Sequence, residues 1–181
     1  MSKGATTKEI LLSHACRLFW SRGYSNVSVR EISKAAGVDV ALIARYFGSK
    51  LGLFEATLET LDRLDPDAFK SADDLVDVII EMFANAPKDG VEASPISLIL
   101  MNANDPEVGQ MVIEGQYERW QSGMEKIIGS KSRAAVFFAA VLGFSVAQKS
   151  MKMDGIAEVG SDDHRAQFRH FLQSALQGPD V

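Results

Sequence analysis

Apolar residues along this 181-residue chain recur mostly three and four positions apart, the spacing of helices with one buried face. Ile10, Leu11, Ala15, Leu18 and Phe19 form one such stripe. They predict a first helix over residues 7–22, stopped by Gly23. Ser28-Val29-Arg30-Glu31 has capping-box form and opens a second helix with Val29, Ile32 and Ala36 inward. Gly37 allows a tight corner, and Asp39 is placed to cap a third helix ending at Phe47. Two short helices joined at a glycine suit insertion into a DNA major groove. Gly48 then interrupts, and Ser49 caps a fourth helix that carries Leu53, Phe54, Ala56, Leu58 and Leu61 towards residue 63.

Beyond Asp65-Pro66-Asp67 the same periodicity predicts a helix over 72–83, with Leu75, Val78, Ile79, Met82 and Phe83 as its apolar positions. A loop follows at 86–90, then a helix behind Pro95 to 101 and a long one from Asp105-Pro106 to 128. Ser130 or Ser132 caps an apolar helix ending near 151, and 155–160 is a loop. Ser161-Asp162-Asp163 opens the last helix, in which Phe168, Phe171, Leu172, Ala175 and Leu176 share a face. The expectation is an all-α chain of about nine helices, with few segments alternating at a period of two.

Composition adds class rather than detail. The chain is 46% apolar and 24% charged, ordinary for a globular protein. The longest near-continuous apolar run, 134–147, is broken by Gly143 and Ser145. It falls short of the roughly 18–20 residues that cross a bilayer, so it reads as a helix buried in protein, and no membrane partner is expected. The opening MSKGATTKE has no apolar signal core, and the lone Cys16 cannot form an internal disulfide. Both point to the cytoplasm. Charge is divided: residues 1–50 carry +5, and the remainder −10. A basic head attracts a phosphate backbone, whereas an acidic body is repelled by one and serves another purpose.

Catalytic material is sparse. His164 and His170 stand six apart, not at the i, i+4 spacing of a helical metal pair, and His14 falls within the first helix. Asp162 and Asp163 cap a helix, and Asp73, Asp74 and Asp77 lie on the early turns of another, where the helix dipole favours them. No phosphate loop, nucleophile elbow or Cys/His cluster appears. The expectation is no enzyme, no catalytic residue, no metal and no cofactor.

Leu18-Phe19, Gly23-Tyr24, Val29-Arg30-Glu31-Ile32, Ala36-Gly37-Val38, Tyr46-Phe47-Gly48-Ser49-Lys50 and Leu53-Phe54 form a specific combination. In it, the head resembles the DNA-binding domain of the TetR family of bacterial transcriptional regulators. The resemblance implies a three-helix, helix-turn-helix DNA-binding domain over 1–50 and a larger helical ligand-binding and dimerisation domain over 51–181. It implies a homodimer on a palindromic double-stranded operator, with half-sites about 34 Å apart. It also implies a body that commonly holds a small-molecule pocket, whose ligand spreads the heads off DNA. Carried over by position, the DNA-binding residues are Ser28, Val29, Arg30, Asp39, Val40, Ala41, Leu42, Arg45, Tyr46 and Lys50. Arg30 matches a position that reaches a guanine edge, and its fork suits O6 and N7. Lys50 matches a phosphate contact at a helix N-terminus.

The sequence departs from the family where Val40, Ala41, Leu42 and Ala44 are apolar rather than polar or aromatic. Val40, Ala41 or Leu42 then meets thymine methyls, or Leu42 packs on the fourth helix. Arg30 has an alternative as a solvated residue or an intrahelical partner of Glu31 or of the neighbours of Lys34, Lys50 as a plain surface lysine, and Tyr46 as core. In the body, Phe137, Val141, Phe144, Phe168, Phe171 and Leu172 are candidates for the dimer interface, with full burial inside one protomer as the alternative. Met82, Phe83, Met101, Met111, Tyr117, Trp120 and Met124 are candidates for a largely apolar effector cavity, methionine being adaptable, with ordinary core as the alternative for each. Gln116, Asn102 and Gln121 are its possible polar partners. The functional expectation is a repressor released from its operator by a small molecule. The alternatives are a ligand-responsive activator, or a helical enzyme or adaptor with a vestigial helix-turn-helix.

Overall fold

The computed structural model describes residues 6–85 and 94–178, and the loop expected at 86–90 lies outside them. Ten α-helices and no strand occur among the described residues. The chain divides into two compact units, residues 1–62 with 91–116, and residues 63–90 with 117–181.

In the first unit, α1 (Thr7–Arg22) is opened by Thr6, which forms a capping box with Glu9. Ser28 and Glu31 do the same for α2 (Val29–Ala36), and Gly37 ends it in a left-handed conformation at φ 68°. A side chain at that φ is strained, so glycine suits the corner. Asp39 Oδ1 accepts from the Ala41 N–H at 2.7 Å, which places its cap at the start of α3 (Ala41–Phe47). The helix thus begins two residues later than expected. Ser49 caps α4 (Lys50–Leu58).

The fourth helix stops well short of residue 63. Thr57 Oγ1 donates to the Phe54 carbonyl and Thr60 Oγ1 to the Thr57 carbonyl, while Thr60 and Leu61 make tightened backbone bonds to Thr57 and Leu58. Hydroxyls that bond the local backbone compete with the helical ladder. Phe19, Tyr24 and Phe54 meet with ring centroids 5.2–5.6 Å apart at the centre of the head, beside buried Leu11, Ile32, Ile43 and Leu53. The first unit also contains α6 (Pro95–Asn102), which packs on α1, and α7 (Gly109–Gln116).

The second unit holds α5 (Ala72–Ala84), α8 (Ser122–Ile128), α9 (Lys131–Ser145) and α10 (Asp162–Leu176). Phe144 stacks on Phe168 at 4.1 Å and Phe83 meets Phe168 at 4.7 Å, which fixes α9, α10 and α5 together. Arg165 pairs with Glu81 and Arg169 with Asp77 across α10 and α5. The long helix expected over 105–128 is divided. Asp105 Oδ1 accepts from the N–H groups of Glu107 and Val108, holding a turn ahead of α7. Tyr117–Gln121 is then a π-helical turn preceding α8. A second π-helical turn, Val146–Ser150, follows α9.

Candidate nucleic-acid interface

The corner at Gly37 sets α2 and α3 as separate short helices, each with a buried side and a free side. Ile32 and Ile43 face the core. Arg30, Asp39, Val40, Ala41, Ala44, Arg45 and Tyr46 are exposed, and Val29 and Leu42 are half-buried. An exposed Val40 beside an exposed Ala41 leaves an apolar start to α3 that the head does not cover.

Glu31 is occupied elsewhere than at Arg30. Its carboxylate accepts from the Ser28 N–H at 2.8 Å and pairs with Arg22 at 3.2 Å. The Ser28 backbone and side-chain bonds, with Arg22, hold its pKa below the ordinary carboxylate value. The Arg30 guanidinium is left without a hydrogen bond or ion pair among the described residues. Ser28 itself caps α2, its Oγ accepting from the Glu31 N–H at 3.2 Å. The Tyr46 ring is edge-on to Phe47 with Arg45 above it at 5.9 Å. Lys8 reaches over the Phe47 ring at 5.6 Å. Lys50, half-buried at the start of α4, lies 4.0 Å from the centroid of Tyr24.

Most of the dimer candidates follow the alternative of burial within the protomer. Phe137, Phe168 and Leu172 are fully buried, and Val141 and Phe144 nearly so. They form the core of the protomer itself and have no surface to offer a second copy. Phe171 is the exception, 44% exposed. The outward face of α9 is instead Ala135, Val136, Ala139 and Gly143. The apolar stripe was legible, but an apolar helix gives no sequence signal for which side turns inward.

The expected cavity residues are divided between the two units. Met101 and Met111 belong to the first unit, whereas Met82, Phe83, Tyr117, Trp120 and Met124 belong to the second. Phe83 and Met124 are buried core, Met82 is 61% exposed, and Met111 and Trp120 are half-buried. The Tyr117 hydroxyl donates to Glu125 Oε2 at 3.3 Å. Asn102, considered a polar partner for a ligand, is fully buried and engaged by the protein. Its Oδ1 accepts from the Tyr24 N–H at 2.7 Å, and its Nδ2 donates to the carbonyls of Phe19 and Leu98.

Sequence reasoning did not single out Glu125 and Arg119 of the second unit, and weighed His164 only as half of a metal pair. Each has a buried nitrogen or oxygen without a hydrogen-bond partner among the described residues: His164 Nδ1, Glu125 Oε1 and Arg119 Nε. For Arg119 and Glu125, the half-polar patterning of 117–125 was the available signal. No helix of the described residues is long and apolar enough to cross a membrane. They contain no cluster of metal-ligating side chains.

Comparison with known proteins places this geometry. A family profile described as "Bacterial regulatory proteins, tetR family" matches residues 11–57. "Probable HTH-type transcriptional regulator YttP" of Bacillus subtilis is 48% identical over 50 residues, 28% of this chain and 24% of that protein. "HTH-type transcriptional regulator BetI" of Cronobacter sakazakii is 24% identical over 104 residues, 58% of this chain and 46% of that one. The matches thus span less than half the length of either curated relative. Among solved structures, native NalD, the secondary repressor of the MexAB-OprM multidrug efflux pump in Pseudomonas aeruginosa, has a similar fold. The TM-score is 0.65 at 19% identity, over 95% of this chain and 96% of that one. Residues 11–57, which span most of α1 and α2 to α4, thus match the tetR-family profile, and the helical fold is similar to that of NalD along nearly its whole length.

Proposed function

We propose that this protein is a dimeric DNA-binding transcriptional regulator, and that it acts as a repressor released by a small molecule. The observation that carries the DNA-binding reading is the free face of α2 and α3, where Arg30 and the start of α3 stand uncommitted on a basic head. Arg30 reads a guanine edge through O6 and N7, Val40 and Ala41 meet thymine methyls, and Lys50 and Arg45 meet phosphates. Ser28, Val29, Asp39, Leu42 and Tyr46 complete the surface. The reading assigns residues 1–50 to DNA binding and 51–181 to ligand binding and dimerisation.

Dimerisation belongs to the outward face of α9 together with Phe171 of α10. Val136 is 52% exposed there among small residues that permit close helix approach. Release requires an effector that prefers a body arrangement with misspaced heads, since equal affinity for two arrangements shifts nothing. A coupling of about 1–3 kcal/mol changes operator affinity roughly 5–150-fold.

The test is a gel shift with the DNA upstream of the protein's own coding sequence. Wild type retards the fragment, and Arg30→Ala weakens binding on the order of tenfold, the worth of one good base contact per head. A wild type indifferent to all upstream DNA at modest ionic strength would refute the reading.

A further inference from the structure

The polar contacts of the first unit converge on Tyr24. Its hydroxyl donates to Glu107 Oε1 at 2.7 Å, and its N–H to Asn102 Oδ1 at 2.7 Å. Its ring leans on Phe19 and Phe54, and the Lys50 ammonium lies 4.0 Å from the ring centroid. Glu107 is itself held: its N–H donates to Asp105 Oδ1 at 3.0 Å, while Asp105 Oδ2 accepts from the Ser25 N–H at 3.2 Å. The segment 102–107 therefore grips the turn 23–25 at three points.

We propose that Glu107, acting through Tyr24, is a positioning residue that holds the Lys50 ammonium ready for a DNA phosphate. A phenol that donates its hydroxyl to a carboxylate carries more negative charge on its ring, and the ring face attracts a cation more strongly. Burial, together with the bond to Glu107, raises the hydroxyl pKa far above its ordinary value, so the proton remains to be donated. A lysine already held in place loses less side-chain freedom when it meets a phosphate. The inference rests on the DNA-binding reading above, but adds a residue outside the helix-turn-helix.

The sign of one substitution separates this role from simple electrostatics. Glu107→Gln removes a negative charge, which by itself tightens binding to a polyanion. The positioning role predicts weaker binding, by about threefold per head, the scale of a modest cation–π contact. Tyr24→Phe, neutral in charge and retaining the ring, should weaken binding similarly. The measurement is fluorescence anisotropy with a labelled duplex from the DNA upstream of the coding sequence, titrated over salt. Lys50→Ala should reduce the salt slope by about 0.9 per head.

A second readout needs no DNA. In proton–carbon correlation spectra the Lys50 ε-methylene is shifted upfield by the Tyr24 ring in wild type, and less so in Glu107→Gln and Tyr24→Phe. Glu107→Gln binding as tightly as wild type or tighter, or an unchanged methylene shift in both variants, overturns the proposal. If wild type binds no duplex, the DNA-binding reading fails, and the hold on Lys50 is decided by the methylene shift alone.

Discussion

His164 is enclosed in the second unit, with Nε2 3.2 Å from Gln148 Oε1 and the rings of Phe144 and Phe168 beside it. Burial lowers its pKa, and the charge of Arg165 acts in the same direction. The imidazole is therefore neutral in the fold near pH 7, donating to the amide oxygen from Nε2. An unfolded histidine titrates near about 6.5. Its folded pKa is depressed, so its contribution to stability is complete above that value and is lost as pH falls through the lower folded value. The urea midpoint of the second unit should drop as pH falls below about 6.5. His164→Gln should flatten that part of the profile. A profile of the variant that parallels wild type would show that other groups are responsible.

At the scale of elements, the caps decide where the head's short helices begin. α2 has only eight residues, too few to persist without its terminal bonds and its packing. Ser28→Ala removes an exposed hydroxyl but also the bond to the Glu31 N–H, and should cost about 1 kcal/mol, read as a lower melting temperature. A melting temperature equal to wild type would mean that packing alone holds the helix. This scale also explains what was legible in the chain. Serine three residues before glutamate, and glycine at 23, 37 and 48, marked the first three helices to within two residues. The end of α4 was hidden because Thr57 and Thr60 terminate it through hydroxyl–backbone bonds that leave no break in apolar spacing. The division of the helix over 105–128 was hidden because a π turn preserves apolar periodicity on both sides. At the candidate interface, the sequence left open whether Arg30 pairs with Glu31 or stands apart from it. Its freedom depends on Arg22 reaching Glu31 from another helix. Asn102 was misjudged because a buried amide that satisfies backbone groups and one that faces a ligand look alike in sequence.

For the whole molecule, the proposed dimer supplies the spacing of two heads that a palindrome requires. The face assigned to it consists of Val136, Ala139 and Gly143 on α9 and Phe171 on α10, all exposed in the protomer. Ala139→Glu and Phe171→Glu each bring a charge to that face without entering the core. Light scattering behind a sizing column should give the mass of two chains for wild type and of one for the double variant. Operator affinity should fall on the order of tenfold or more once the heads are no longer tethered. A double variant that remains paired would assign dimerisation to another surface.

The clasp by Asn102 bears on how the amino-terminal part can be studied by itself. Its amide oxygen accepts from the Tyr24 N–H and its nitrogen adds a second donor to the Phe19 carbonyl, so the Tyr24 N–H depends on a residue far downstream in the chain. A fragment cut after residue 62 would keep every side chain proposed to meet DNA, yet leave the Tyr24 N–H without Asn102 and expose one side of α1 to water. Such a peptide would be an unfaithful miniature of the head, and the smallest faithful one is not a contiguous stretch of the gene.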